Sequence, residues 1–302
     1  MGDRPPGHEA RRGYRIRGQS FSAPPLKPGL YVVATPIGNL GDVTLRALDT
    51  LAAADLIACE DTRVTRKLLD RYGIEAKPVS YHEHSGPAAH RRILDALAEG
   101  LSVALVSDAG TPLLSDPGAQ LVADAHAAGH RVIPIPGPSS AIAALSAAGV
   151  PADAFLFLGF LPSKSGQRRK RLAEFSRLPA TLVLFESPNR IAALLADAEA
   201  VLGADRRAAI CRELTKLHET FDRGTFAELA ARYRNAAVKG EIVLLVAPPD
   251  DAGPPSEKDI DAMLADALRS ASVKEAAEAV ASATGISRRD LYQRALALKG
   301  RR

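Results

Sequence analysis

LYVVATPIGNLGDVTL, residues 30–45, is the stretch whose reading decides the fold. LYVVAT (30–35) reads as a strand buried on both faces. A Pro/Gly turn follows, and Asp42 reads as the cap of a helix that turns Leu45, Leu48, Leu51 and Ala52 inward. No G-x-G-x-x-G follows this strand, and no G-x-x-x-x-G-K-[ST] occurs anywhere, so neither a standard dinucleotide site nor a P-loop is present. A strand that runs through a Pro/Gly turn into a helix is the opening of an α/β sheet.

The same alternation continues outward from it. DLIACE (55–60) reads as a strand, followed by a helix from Thr62 that ends at Gly73. PVSYH (78–82), LSVALVS (101–107) and RVIPI (131–135) read as further strands with helices between them, and PGPSS leads into an Ala-rich helix. Short apolar strands between amphipathic helices imply a largely parallel sheet covered on both faces. Beyond Val150-Pro151 a second α/β unit is expected from FLFLGF (155–160), TLVLFE (181–186), AAICRE (208–213), a helix near 225–234, and EIVLLVA (241–247). PPDDAGPPSE (248–257) reads as a linker. Three S-x-x-[DE] capping signatures then follow: Ser256 with Asp259, Ser272 with Glu275, and Ser287 with Asp290. They predict three short helices, with T-G-I-S (284–287) as a tight turn, in a helix-turn-helix-like arrangement.

Composition bounds what this architecture can do. The 302 residues are 46% hydrophobic and 25% charged, ordinary globular values with a prior of about two domains. The net charge of +4 is carried by residues 1–28, which hold six basic and two acidic groups, so the rest of the chain is neutral. Rich in Arg, Pro and Gly and lacking periodicity, 1–28 reads as a disordered basic arm. Its beginning lacks an apolar core, so no secretory signal is expected there. Cys59 and Cys211 are too few for a disulfide framework, and as buried, reduced thiols they suit a reducing compartment. Val132–Ala152 carries no charge over 21 residues, but its four prolines break it, so no membrane span is expected. With no Trp, 6 Tyr and 8 Phe, aromatic base-stacking platforms are not expected.

Ligands of open α/β sheets sit outside the carboxyl ends of the strands. Four turns should reach that edge: TPIGNLGD after the first strand, EDTR (60–63), SDAGTPLLSDPG (107–118) and PGPSSA (136–141). Together they predict a small-molecule site.

VATPIGNLGDVTLRAL, EDTR, SYHEHS, SDAGTPLLSDPG, PGPSS, FESPNR, CRELTKLHE and KGEIVLLV, in that order, closely resemble the bacterial ribosomal small subunit RNA methyltransferase I family, within the tetrapyrrole methylase superfamily. The resemblance covers about 29–302. It implies an α/β, two-domain tetrapyrrole-methylase-like fold with domains at 29–150 and 151–249 and a helical domain at 256–302. It also implies S-adenosyl-L-methionine-dependent 2′-O-methylation of a cytidine in the decoding region of 16S rRNA of the 30S subunit, by a cytoplasmic homodimer with the cofactor in the cleft between domains. By match to the superfamily's motifs, Pro36, Asp108, Ala109, Gly110, Thr111, Ser139, Ser140 and Phe185 are expected at the cofactor. The superfamily's GGDP turn is replaced here by SDAGTP.

A sulfonium methyl is already activated, so the enzyme's work is chiefly to align nucleophile, methyl and sulfur. A ribose hydroxyl needs a group to orient or take its proton. Glu60, Asp61, Glu186, Glu213, Lys216 and Glu219 are candidates, with Glu60 and Asp61 leading because they stand at a strand end beside Arg63. His82-Glu83-His84 has ligand types but no third partner of convincing spacing, so no metal is expected. RNA contact is expected from Lys164, Arg168, Arg169 and Lys170, and from Arg288 and Arg289 at the C-terminus. The rivals are a porphyrin or corrin C-methyltransferase, which needs neither basic patches nor a helical appendix, and a non-catalytic nucleic-acid-binding regulator, which leaves the four turns without purpose.

Overall fold

The computed structural model describes residues 12–82, 85–115, 118–249, 257–269, 271–284 and 286–299. Its first residues correct the reading of 1–28 as a disordered arm, of which 1–11 lie outside the described residues. Gly13–Ile16 (β1) and Gln19–Ser22 (β2) pair as an antiparallel hairpin. The turn residues Arg17 and Gly18 both have positive φ, as a two-residue hairpin turn requires. Tyr14 is buried and stacks on Phe21 with ring centroids 5.6 Å apart, and the Arg12 guanidinium donates to the Ala53 carbonyl and the Asp55 carboxylate. One buried aromatic and one ion pair hold a segment whose composition reads as solvated.

The first sheet follows the expected alternation. Its strands are Gly29–Val33 (β3), Leu56–Cys59 (β4), Val79–Ser80 (β5), Ser102–Val106 (β6) and Val132–Ile135 (β7). All run parallel, in the order β5-β4-β6-β3-β7. Between them lie Leu45–Ala53 (α1), Thr62–Arg71 (α2), Pro87–Ala98 (α3) and Ala119–Ala127 (α4), and Ser140–Ala147 (α5) follows β7. Alternate strand residues feed two cores: Val33, Ile57 and Val106 pack with Leu48, Leu51 and Leu69, whereas Leu30, Ala58 and Leu105 pack with Ile93, Leu97 and Leu121. Parallel strands buried on both faces need that apolar continuity. The cap of α1 is Thr44, whose hydroxyl accepts from the Ala47 N–H; Asp42 instead closes a 3₁₀ turn, Leu40–Asp42.

The second sheet is mixed. Phe155–Phe160 (β8) and Thr181–Glu186 (β9) are parallel, while Arg207–Arg212 (β10), Thr220–Thr225 (β11) and Ile242–Val246 (β12) complete the order β11-β10-β12-β9-β8 with antiparallel pairs. β11, TFDRGT, has no apolar run and was not legible in the sequence. Ser165–Glu174 (α6), Ile191–Leu202 (α7) and Phe226–Tyr233 (α8) accompany these strands, and Thr225 with Glu228 forms a full capping box on α8. Both sheets belong to one compact unit.

A second compact unit joins residues 174–179 to the chain beyond 247. Glu257–Ala267 (α9), Val273–Thr284 (α10) and Arg288–Lys299 (α11) bury Ile260, Leu264, Ala277, Val280, Leu291 and Ala295 against one another. The Ser272–Glu275 box is present in both directions. Ser256 and Gly285 lie outside the described residues. Among the described residues no helix is long and apolar enough to cross a membrane.

Candidate active site

Three of the four turns meet at the carboxyl ends of β3, β6 and β7, where the chain changes direction in the sheet and where ligands of such sheets bind. Thr35 and Gly110 exchange backbone hydrogen bonds of 2.9 and 3.0 Å, tying the first turn to the third. The Thr111 hydroxyl donates to the Pro138 carbonyl at 3.1 Å, tying in the fourth. Gly110 has φ +80°, and a Cβ there would press on Ile37 Cγ2 at 3.3 Å, so glycine alone lets the backbone stay this close. At the start of α5, Ser139 occupies the cap position without a side-chain cap bond.

A cleft of about 340 Å³ opens over these turns, lined by Ala109, Gly110, Thr111, Ser139 and Ser140 on one side. Phe185, Cys211, Leu214, Glu241 and Val243 from the second sheet line the other. Its size falls within the range of small-molecule sites. Of the expected cofactor residues, Pro36 is not in the lining; its neighbour Ile37 is. Asp108 also faces elsewhere. With Glu60, Asp61, Thr62, Arg63, Ser80 and His82 it lines a separate polar hollow, where its carboxylate accepts the Asp61 N–H at 2.9 Å. The three residues read as catalytic, Glu60, Asp61 and Arg63, therefore stand together but outside the cleft lining.

Asp61 caps α2 through the Arg63 N–H and pairs with the Arg63 guanidinium at 2.5 Å. Those bonds hold its carboxyl at about 2, which makes it a weak base. Cys211 is the reverse: burial pushes its thiol up to about 12, so it stays protonated in the cleft wall. Lys216 donates to Glu213 at 2.8 Å and to Glu241 at 3.0 Å; burial opposes its charge, but the two carboxylates raise its pKa on balance. Glu186, at the end of β9, also lines the cleft: its side chain is buried, Oε1 accepts the Ser187 N–H and pairs with Arg190, and Oε2 has no hydrogen-bond partner among the described residues. Glu83 and His84 lie outside the described residues, among which no group of three His, Cys, Asp or Glu could hold a metal.

The basic run 164–171 is corrected at one position. Arg168 is buried, with Nε 2.8 Å from Asp197 Oδ2, so it cannot meet RNA. Lys164, Arg169 and Lys170 are exposed on the same segment. In α11, Arg288 pairs with Glu278 at 2.9 Å, and Arg289 is exposed. On the far wall, Cys211 on β10 and Leu214 and Glu241 just beyond β10 and before β12 lie within CRELTKLHE and KGEIVLLV, and no turn or cap pattern marks them as lining residues.

Residues 29–230 match the family of Tetrapyrrole (Corrin/Porphyrin) Methylases, and 254–299 match the RsmI C-terminal HTH domain. Ribosomal RNA small subunit methyltransferase I of Mesorhizobium japonicum is 54% identical over 92% of this chain and 94% of its own length. The proteins of that name from Erythrobacter litoralis and Escherichia coli O157:H7 are 50% identical over 92% of this chain and 44% identical over 90% of it, covering 98% and 96% of their own lengths. Among solved structures, a cobalt precorrin-4 methyltransferase superposes with a TM-score of 0.56 at 18% identity, covering 72% of this chain and 94% of that one. Uroporphyrin-III C-methyltransferase from Thermus thermophilus, complexed with S-adenosyl homocysteine, gives 0.53 at 21% identity over 72% of this chain and 97% of its own. Those two likenesses carry the fold, and the sequence relatives carry the closer kinship: the chain belongs to the ribosomal RNA small subunit methyltransferase I family of tetrapyrrole methylases.

Proposed function

We propose that the protein methylates the ribose 2′-oxygen of a cytidine in the decoding region of 16S rRNA, with the 30S subunit as substrate and S-adenosyl-L-methionine as methyl donor. The observation that carries the reading is the cleft at the ends of β3, β6 and β7, closed by β9, β10 and β12, in a chain 54% identical to a ribosomal RNA methyltransferase. The cleft suits the cofactor: the glycine at 110 opens a backbone cradle, the α5 N-terminus offers N–H donors for a carboxylate, and Phe185 and Val243 give an apolar wall for a flat base. When bound, the cofactor supplies an electrophilic sulfonium methyl.

The chain's own residues then do the rest. Ala109–Thr111 and Ser139–Ser140 fix the donor's polar end, so that attack is in line. Phe185, Leu214 and Val243 exclude water from the wall. Cys211, protonated and buried, does not compete as a methyl acceptor. Asp61 is committed to capping α2 and pairing Arg63, and Asp108, which accepts the Asp61 N–H, ties that hollow to the cofactor turn, so the hollow shapes the cleft edge and is not the source of the base. Lys164, Arg169, Lys170, Arg288 and Arg289 supply phosphate contacts. The homodimer and the cytoplasmic setting belong to the same reading. Tritium transfer from labelled S-adenosylmethionine into 30S subunits, followed by nucleotide mapping, tests it. No calorimetric binding signal at millimolar cofactor refutes it.

A further inference from the structure

Strand β8 carries a one-residue bulge beside the cleft. Phe157 pairs with Val183, yet Gly159 pairs with Leu184 and Phe160 with Phe185, so one extra residue is inserted. Strict alternation would turn Phe160 to the face opposite Phe157. The bulge brings it back to the face of Phe157 and Phe185. Gly159 makes this possible: its φ is +61°, and a Cβ there would come within 2.7 Å of Ser115 Oγ. Across the contact, Leu113 and Ser115 also adopt positive φ, 77° and 69°, a conformation that non-glycine residues take only at a cost.

That distorted backbone presents apolar side chains to solvent. Phe157 and Phe185 pack against the core, 5.0 Å apart and edge-on. Phe160 continues the cluster, 5.7 Å from Phe185, but is 57% exposed, and Leu114 beside the same opening is 44% exposed. Both line the cleft. An aromatic ring left half in water at the edge of a cleft, continuous with a buried aromatic pair, fits a ligand that arrives from solvent with a flat apolar face.

We propose that Phe160 is the platform on which the base of the nucleotide undergoing methylation stacks, with Leu114 covering the edge of that base. The proposal rests on the ribose-methylation reading. A ribose whose hydroxyl reaches the cleft carries its base one bond away, and an unstacked base in RNA is held chiefly by aromatic faces. The mouth, not the interior, is where that base has room.

The test compares Phe160→Ala, Phe160→Leu and Phe160→Trp with the wild type, measuring KM and kcat on 30S subunits and the Kd for S-adenosylhomocysteine, with thermal melting to verify the fold. Loss of one base stack should raise the KM of Phe160→Ala roughly 5- to 150-fold. Phe160→Trp should stay near wild type and Phe160→Leu should not recover, while cofactor Kd is unchanged throughout. The chain contains no tryptophan, so Trp at 160 is also a unique fluorophore, and S-adenosylhomocysteine alone should not quench it. An unaltered KM in Phe160→Ala, full recovery by Leu, or a cofactor Kd that rises in step with KM overturns the platform. Failure of the wild type to methylate 30S subunits overturns the parent reading instead, and the platform with it.

Discussion

Arg168 offers the sharpest separation between what its sequence neighbourhood suggests and what the fold makes of it. It sits in a run of five bases, where substitution by glutamine would be expected to weaken RNA binding and nothing else. In the structure its side chain is 4% exposed and its guanidinium reaches Asp197, the Ser163 carbonyl at 3.1 Å and the Ala193 carbonyl at 3.5 Å. Among the described residues Asp197, 12% exposed, would keep only the Ser165 hydroxyl at 2.8 Å. Removing one partner of a buried pair costs about 3–5 kcal/mol because the other charge is stranded. The surviving Ser165 bond puts the expectation for Arg168→Gln near the lower end, about 3 kcal/mol. In a unit of this size each kcal/mol moves Tm by about 2–4 °C, so melting should fall by about 6–12 °C. The double variant Arg168→Met/Asp197→Leu, which removes both charges, should recover most of that loss. Below the transition, RNA binding by Arg168→Gln should keep the wild-type salt slope, whereas Arg169→Gln and Lys170→Gln should each flatten it by roughly 0.7–0.9 without altering Tm. Calorimetric melting and a salt titration of RNA affinity decide the matter. A wild-type Tm combined with a flattened slope in Arg168→Gln would refute the buried-pair account.

Four further outcomes follow from the same geometry. Gly110→Ala forces a Cβ into a φ of +80° against Ile37, at about 1–2 kcal/mol, and should weaken S-adenosylhomocysteine binding roughly 5- to 30-fold by calorimetry; an unchanged Kd would remove this turn from the site. Cys59 and Cys211, both fully buried and with raised thiol pKa values, should not react with a thiol reagent in native protein at pH 8 and should both react after denaturation. For Asp55, burial pushes the carboxyl up, but the hydroxyl and N–H of Ser102 and then the Arg12 guanidinium pull it below 3.8 on balance. Its contribution should therefore be complete above pH 3.8 and fade as pH falls through the lowered value, so wild type and Asp55→Asn should converge in acid melts. Tyr14→Ala should cost about 3 kcal/mol, as other large core truncations do, which denaturant unfolding would report; a solvated arm would give a cost near zero.

Much of this molecule is written in local pattern. LYVVAT, LIAC and LSVALV are apolar runs long enough to be strands and too short to be helices, and both cores take their alternate residues from them. The Ser272–Glu275 box was legible for the same reason, since a cap is a contact between residues three apart. The turns at 109–111 and 139–140 line one cleft, as Gly-, Ser- and Thr-rich turns gathered at a single sheet edge suggest from sequence. What failed was whatever depends on a distant partner. β11 has no apolar run and is a strand because β10 pairs with it. Tyr14 and Arg12 look solvated until α1 and Asp55 lie beneath them. Arg168 is basic in sequence and buried in space because Asp197, 29 residues on, faces it.

The site divides along the same line. The residues that touch the first sheet's ends were read from their own turns, but the far wall of Cys211, Leu214 and Glu241 exists only because the second sheet is folded over them. Asp108 and Asp61 read as members of one pocket with Ser139, and backbone direction at the end of β6 sends Asp108 the other way. The bulge at Gly159 is the extreme case, since the sequence FLFLGF assigns Phe160 to the wrong face and only pairing with β9 reverses it. Sequence determined the elements and their order, because periodicity and caps act within a few residues. Tertiary structure alone decided which charges are buried, which turns share a cavity and which ring meets solvent, because each depends on a partner far along the chain.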